Sequence, residues 1–269
     1  LMAMIMLVIS ISPMLAPLAG SGLITLGGWP IIFWVLAVVA LLSLLLVGTV
    51  LPETLQPEHR VKVNFANLWH GTKILVRDPV FMGLTLIGGF GFSSFMVFIA
   101  SAAFVYTDEF GLTPTGFSLA FAINALGFFG ASQLAAPLGE KFGILPVMRW
   151  AVIGFAGFAV TLLVIGLAGF ASLYVIIAGL FCANACLGLI LPTTMVVALD
   201  PHGEIAGLAS SLGGTLQMVT GGMMVVVTGL FFDGTAVPMV GAIALCAGLA
   251  LVTALRTFRI MGRETTAQT

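Results

Sequence analysis

Charged side chains are scarce in this chain: 7% of its 269 residues are charged, whereas 60% are hydrophobic. A typical soluble domain has about 25% charged residues. So few charges cannot cover a protein of this size in water, and the composition therefore predicts a membrane protein. The net charge of −1 and the lack of a long basic segment give no indication of nucleic-acid binding.

Cysteine is also scarce. Cys182, Cys186 and Cys246 all lie inside apolar stretches, where a thiol packs as a small hydrophobic group. This pattern does not suggest a disulfide framework. Cys182 and Cys186 share a helix face, but no His, Asp or Glu lies nearby in the sequence to complete a metal shell. The sequence therefore predicts neither a metal site nor a bound cofactor.

Long apolar runs, in contrast, are abundant. They last about 20 residues or more, the length of a helix that crosses a bilayer, whereas the strands of a membrane barrel are near 10 residues long and alternate in polarity. We therefore predict an all-α membrane protein. Breaks at polar, glycine and proline residues separate eight spans: 1–26, 29–51, 80–105, 116–138, 147–168, 171–197, 205–231 and 236–257.

The nine lysines and arginines all fall on one side of this arrangement. They lie in the polar connector 52–79, after the fourth span and after the eighth span. Because Lys and Arg near the ends of spans are retained on the cytoplasmic side, we predict that the connector and the C-terminus are cytoplasmic. The connector also contains a candidate amphipathic helix near 65–76. No ionisable residue falls within a predicted hydrophobic core, so a carboxylate that couples transport to an ion is expected elsewhere.

Two aromatic stripes are candidate binding surfaces. On the fourth span, four residues at helical spacing share one face: Phe117, Phe121, Asn124 and Phe128. A comparable stripe on the third span consists of Phe95, Phe98, Ala102 and Tyr106. An aromatic wall with one amide suits a hydrophobic, weakly polar ligand. Aromatic stripes also serve as packing or lipid-facing surfaces, and that alternative stays open.

Small and amide-bearing residues mark the later spans. The seventh span has a residue of this kind every four positions: Ala209, Gly213, Gln217 and Gly221. Small residues at this spacing favour close helix packing. The amides of Gln217 and of Asn184 in the sixth span each need a partner, which could be a neighbouring helix or a substrate. In the first span, Pro13, Pro17 and Gly20 predict a bend, which could serve as a gate or simply shape the helix.

Several motifs in this order resemble the major facilitator superfamily, in particular its Bcr/CflA-type (bicyclomycin/chloramphenicol resistance) drug:proton antiporters. SPMLAPLAGSG at 12–22 resembles the antiporter motif of helix five, and RDPVF at 77–81 resembles the start of helix seven. AGLASSL at 206–212 is similar to the start of helix eleven. GEKFG at 139–143 resembles the cytoplasmic loop motif after helix eight, with Gly139, Lys141 and Gly143, although Ile144 and Leu145 replace its usual basic pair.

The resemblance implies a major facilitator fold, with eight transmembrane helices of an expected twelve and the N-terminal four missing. Residues 1–51 would be the last two helices of the N-terminal bundle, 52–79 the central loop, and 80–269 the C-terminal six-helix bundle. The proton-coupling residue would lie in the missing part. The resemblance also implies that the cavity is lined by the substrate-binding candidates Phe95, Phe98, Asn124, Phe128, Asn184 and Gln217, and that Pro13, Pro17 and Gly20 form a gate.

The expected function is secondary active transport: proton-coupled export of small hydrophobic drug-like compounds across the inner membrane by alternating access. Its expected partners are the lipid bilayer, the drug and protons. A transporter of a natural metabolite from the same superfamily and an inactive truncated fragment remain alternatives. A membrane-embedded enzyme is disfavoured, because His59, His70 and His202 lie in predicted loops and membrane serines such as Ser93 have no base in reach by spacing.

Overall fold

The structure is a computed structural model that describes residues 19–20, 22–52 and 65–267, without the side chains of 65–67, 114 and 264–267. This part of the chain is helical and contains no strand. Residues 22–27 form a short helical segment. The longer helices are α1 (Pro30–Val50), α2 (Phe65–Arg77), α3 (Pro79–Phe104), α4 (Pro114–Phe142), α5 (Ile144–Leu167), α6 (Leu173–Leu199), α7 (Ala206–Leu230) and α8 (Ala236–Ala267).

The helix positions confirm the predicted all-α class and seven of the predicted spans. Six stretches of the described residues are long and apolar enough to cross a membrane. Five of them contain one such helix each. The sixth, Leu173–Leu230, contains both α6 and α7, which are separated by a 3₁₀ turn at Asp200–Ile205. Of the predicted span 1–26, residues 19–20 and 22–26 alone lie within the described part of the chain.

Helix ends differ from the predicted boundaries where helices extend beyond their most apolar part. The predicted fourth span stops at 138, whereas α4 continues past Pro137 to Phe142. The predicted eighth span stops at 257, whereas α8 continues to Ala267. Hydropathy marks where lipid begins, but a helix ends only where its backbone conformation changes. The amphipathic helix expected near 65–76 is confirmed as α2.

The chain divides into two compact units, Leu1–Phe65 and Ala66–Thr269. In the first unit, the membrane-length helix is α1. In the second unit, α3 packs against α6, α7 and α8, while α6 also packs against α4 and α5, and α5 packs against α8. Helices α3 and α6 therefore share the centre of this unit, and its fully buried side chains include Phe81, Phe98, Phe155, Leu187 and Ile190.

Glycines allow α4 and α6 to approach at backbone distance. A Cβ atom on Gly188 of α6 would collide with the carbonyl oxygen of Phe128 and lie 3.0 Å from the backbone nitrogen of Ser132. In the reverse direction, a Cβ atom on Gly127 of α4 would lie 2.9 Å from the carbonyl oxygen of Phe181. Each glycine thus accommodates the backbone of the other helix, as is typical of membrane helix pairs.

The small-residue stripe of α7 faces α3. A Cβ atom on Gly221 would lie 3.2 Å from Met96 Cγ and 3.3 Å from Phe92 Cδ1. Ala209, at the other end of the stripe, is buried. The close packing predicted for this surface of α7 is therefore present, and the helix that packs against it is α3.

Candidate functional site

The two aromatic stripes predicted on separate spans pack against each other. Phe95 of α3 stacks on Phe128 of α4, with ring centroids 4.6 Å apart and planes at 17°. Phe98 stacks in the same way on Phe121, at 5.6 Å and 10°. The backbones of α3 and α4 approach each other at few points, so these rings fill the space between the two helices. Phe98 is buried, whereas Phe95 and Phe128 keep part of their surface exposed.

A buried network of amide hydrogen bonds connects α4 and α6. Asn184 Nδ2 on α6 donates to Asn124 Oδ1 on α4 at 3.3 Å. Asn124 Nδ2 in turn donates to the Ala120 carbonyl at 3.0 Å and lies 3.4 Å from the Tyr106 hydroxyl. Asn124 is 0% exposed, so its polar groups are satisfied inside the bundle. Contact between these amides and a substrate remains a prediction.

Gln217 occupies a different environment. A Cβ atom on Gly88 would lie 2.9 Å from Gln217 Nε2 and 3.2 Å from Thr194 Oγ1, so both polar groups face the bare backbone of α3. Beside them is a cavity of about 50 Å³ between α3, α6 and α7, which Thr85 and Ser210 also line. Its lining is mainly apolar, and its size, with these few polar groups at its wall, suits a few water molecules or one small polar group.

The predicted loop motif forms a tight turn that connects α4 to α5. The backbone N–H of Gly143 donates to the carbonyl oxygen of Gly139 at 2.9 Å. Gly143 is the only residue between the two helices and has φ +86°, a conformation that residues with a Cβ atom rarely adopt. Lys141 places its Nζ 5.1 Å from the centroid of the Phe142 ring. Of the predicted gate, Pro13 and Pro17 lie outside the described residues, and Gly20 is helical.

A larger cavity of about 1390 Å³ opens at the end of the bundle where α3 and α5 begin and α6 and α8 end. Its ionisable lining residues are Asp78, Arg149, Asp200 and His202. None of the substrate-binding residues predicted from the sequence lines this cavity. Sequence reasoning missed it, although Asp78 and His202 fall in predicted loops and Arg149 lies near the start of the fifth predicted span, all on the side assigned to the cytoplasm.

Asp78 and His202 form an ion pair in the wall of the large cavity. Asp78 Oδ1 caps the start of α3 by accepting from the backbone N–H groups of Val80 at 2.8 Å and Phe81 at 3.1 Å. Asp78 Oδ2 lies 3.2 Å from His202 Nε2. His202 also contacts the Phe81 ring edge to face, with centroids 5.4 Å apart. The pair therefore links the start of α3 to the turn between α6 and α7.

The opposite end of the bundle brings together the loops predicted on the other side. The ring of Phe104 at the end of α3 contacts that of Phe232 after α7, with centroids 5.9 Å apart. In the same turn, the hydroxyl and backbone N–H of Thr235 donate to Asp233 Oδ1 and hold the pKa of that carboxyl below its usual value. The loops thus sort into two ends as the charge pattern predicts. Which end faces the cytoplasm remains a prediction.

Comparisons with known proteins agree with this architecture. Residues 1–225 match the family model for the Major Facilitator Superfamily. The chain is 30% identical over 243 residues to the MFS-type transporter YdgK of Bacillus subtilis (strain 168), covering 90% of this chain and 60% of that protein. It is 26% identical over 247 residues to the bicyclomycin resistance protein homolog of Haemophilus influenzae, covering 91% of this chain and 61% of that protein.

A third relative, the multidrug resistance protein MdtL of Shewanella sp. (strain ANA-3), is 25% identical over 221 residues, covering 82% of this chain and 54% of that protein. The chain thus spans between 54% and 61% of the length of these relatives. These similarities confirm the resemblance to drug-efflux members that the motifs indicate. Because the family model also matches most of this chain, the chain belongs to the major facilitator superfamily.

Proposed function

We propose that the protein exports small hydrophobic drug-like compounds across the inner membrane in exchange for protons, by alternating access, with the 52–79 connector and the C-terminus in the cytoplasm. The observation that carries this proposal is the similarity, over 82% to 91% of the chain, to relatives named for bicyclomycin and multidrug resistance. The positively charged loops at one end of the bundle support the orientation.

The packing of the second unit suits a body that moves as a whole. Alternating access requires one bundle to rock against another around a site near the bilayer midplane. Gly188 and Gly127 allow backbone contact between α4 and α6, and Gly221 allows α7 to lie close to α3. Such close contacts resist deformation inside a bundle. Movement would therefore occur between bundles, in keeping with the proposed division into 1–51, the 52–79 loop and 80–269.

We propose that three of the predicted substrate residues contact the exported compound directly. Phe95 and Phe128 form a stacked, partly exposed aromatic pair, and Gln217 offers an amide beside a small cavity. Flat apolar surfaces with a few polar groups recognise hydrophobic, weakly polar ligands. Phe98, Asn124 and Asn184 would contribute indirectly, because their contacts hold α3, α4 and α6 in their relative positions.

Proton coupling would depend on a carboxylate in the part of the full-length protein that this chain does not contain. The described membrane-length helices carry their ionisable groups near their ends, and a group that couples transport to protons usually lies at membrane depth. Protonation there and drug binding here would each favour a different access state.

The test uses the full-length protein in an efflux-deficient bacterial host. We expect its expression to lower the accumulation of a hydrophobic fluorescent drug, and a protonophore to abolish this effect. A parallel strain expressing only the 269-residue chain separates the activity of the whole protein from that of the segment. Unchanged accumulation with the full-length protein at the membrane would refute drug export. Transport of a metabolite but of no drug in the same host would identify the natural-metabolite alternative.

A further inference from the structure

The small cavity between α3, α6 and α7 brings together four polar side chains from three helices: Thr85, Thr194, Ser210 and Gln217. Thr85 and Thr194 are 5% and 2% exposed, whereas Ser210 and Gln217 keep part of their surface accessible. The rest of the described lining is mainly apolar and contains no Asp, Glu, Lys, Arg or His. The cavity is therefore a small polar site within an uncharged, apolar wall.

These side chains have hydrogen-bonding capacity that the described part of the chain does not use. Thr194 donates its hydroxyl proton to the Ile190 carbonyl at 2.9 Å, so its oxygen can still accept. The hydroxyls of Thr85 and Ser210 and the amide of Gln217 have no hydrogen-bond partner among the described residues. Since no fully buried polar atom of the described side chains lacks a partner, these groups face accessible space, where water or a ligand can satisfy them.

The amide of Gln217 and the hydroxyl of Thr194 lie close together. A Cβ atom on Gly88 would lie 2.9 Å from Gln217 Nε2 and 3.2 Å from Thr194 Oγ1, so the two groups are within about two hydrogen-bond lengths of each other. One ligand oxygen can therefore accept from the amide and, if it is a hydroxyl, donate to Thr194. A cavity of about 50 Å³ has room for such a group but not for an aromatic ring.

The cavity lies in the same groove as the aromatic pair Phe95 and Phe128. Among the described helices, α4 packs on α6 and α7 packs on α3, but α4 and α7 do not pack closely on each other. A groove therefore runs between α4 and α7, with α3 and α6 as its floor. Gly88, beside Gln217, and Phe95 are two turns apart on one face of α3, which is about 10 Å along the helix axis.

We propose that this cavity binds one uncharged hydrogen-bonding group of the exported compound, a hydroxyl or a carbonyl, while Phe95 and Phe128 hold its aromatic part about 10 Å away. The inference rests on the proposed export of small hydrophobic compounds and specifies their chemistry. Gln217 donates to the bound group, and Thr85 and Thr194 complete its hydrogen bonds. A charged group is excluded, because an unpaired charge is costly in apolar surroundings.

The test compares three dansyl probes that differ only at one end. Dansylated 4-aminobutanol ends in a hydroxyl, N-pentyl dansylamide has a methyl group in its place, and the third probe has a trimethylammonium group. Binding to the purified full-length protein in detergent is measured from the dansyl emission. We expect the alcohol to bind about fivefold more tightly than the methyl analogue, which corresponds to one net hydrogen bond, and the cation to bind more weakly than the alcohol.

Substitutions in the cavity identify the binding site of the hydroxyl. Gln217→Leu and Thr85→Val remove hydrogen-bonding groups and keep a similar volume. Each should reduce the affinity for the alcohol to that for the methyl analogue, and should leave the affinity for the methyl analogue nearly unchanged. Thr215→Val is the control, because Thr215 is exposed on the other side of α7 and donates to the Ser211 carbonyl. If one cavity variant fails to fold, the other still decides.

Equal binding of the alcohol and the methyl analogue would show that only water occupies the cavity. A preference for the alcohol that survives both cavity substitutions would place its hydroxyl elsewhere, and tighter binding of the cation would contradict an uncharged site. Each of these results overturns the inference, as does a failure of all three probes to bind. None of them measures transport, so a protein that shows the expected preference but does not lower drug accumulation in cells would refute export alone.

Discussion

His202 places its Nε2 3.2 Å from Asp78 Oδ2, while its Nδ1 lies 3.2 Å from the carbonyl oxygen of Ala198. A carboxylate and a carbonyl oxygen can only accept hydrogen bonds. Both ring nitrogens are therefore satisfied only when the imidazole carries two protons and a positive charge. The ion pair that joins α3 to the α6–α7 turn thus depends on the protonation of His202.

This geometry predicts a contribution of the Asp78–His202 pair to the stability of the fold, because the pair joins two helix ends that are distant in the chain. We expect it to be about 1 kcal/mol, because the pair is partly exposed.

The measurement is thermal unfolding of the purified full-length protein in detergent. His202→Gln should lower the melting temperature. His70→Gln, which removes an exposed histidine from α2, serves as the matched control and should not. If His202→Gln unfolds at the temperature of the parent protein, the pair does not carry this stability.

The roles of the two carboxylate oxygens of Asp78 can be distinguished by substitution. Asn is a good N-cap and retains an oxygen for the backbone N–H groups of Val80 and Phe81, but it removes the charge opposite His202. Asp78→Asn should therefore lose only the ion pair, whereas Asp78→Ala should lose the cap as well and be less stable by about a further 1 kcal/mol. Equal melting temperatures for the two variants would argue that the cap is unimportant.

Gly188→Ala should loosen the pairing of α4 and α6. The new methyl group would collide with the Phe128 carbonyl, and a backbone atom cannot rotate away as a side chain can. We expect a loss of about 1–3 kcal/mol, as for overpacked interiors. Gly130→Ala on α4 is the control, because open space surrounds that position. Thermal unfolding of the two variants in one detergent makes the comparison, and equal melting temperatures would contradict close backbone contact.

The Asn124–Asn184 hydrogen bond should appear as a coupling energy between the two positions. Asn124→Leu leaves the Asn184 amide without its acceptor, and Asn184→Leu leaves Asn124 without this donor. Each single variant should lose about 1–2 kcal/mol of stability, and the double variant should lose less than the sum. Melting temperatures of the four proteins complete the cycle, and strict additivity would show that the amides act independently.

Phe128→Ala should impair transport more than it impairs folding if the stacked pair with Phe95 contacts substrate. We expect drug accumulation to rise severalfold towards that of cells without the transporter, since the variant removes one side of an aromatic surface. Phe170→Ala in the turn after α5, where the ring is largely exposed, is the control. Accumulation and the amount of folded protein in the membrane are measured together. Normal export by a well-folded Phe128→Ala protein would exclude a substrate role for this ring.

The membrane-length helices and the sorting of their loops into two ends could be predicted from the sequence for a physical reason. In hydrocarbon, each backbone must satisfy its own hydrogen bonds locally, so an apolar run of sufficient length becomes a helix whatever its neighbours are. The amphipathic α2 and the small-residue stripe of α7 were accessible in the same way, because both are periodic along one helix.

Only the tertiary structure decided which faces meet. The periodicity places Phe128 on one face of α4, but the stacking on Phe95 depends on where α3 lies and how it is rotated. Asp78 and His202 lie far apart in the chain, and each looks like an ordinary loop residue until the start of α3 and the α6–α7 turn come together. Contacts of this kind depend on the neighbours and the rotation of whole helices, and local hydropathy and periodicity carry no information about either.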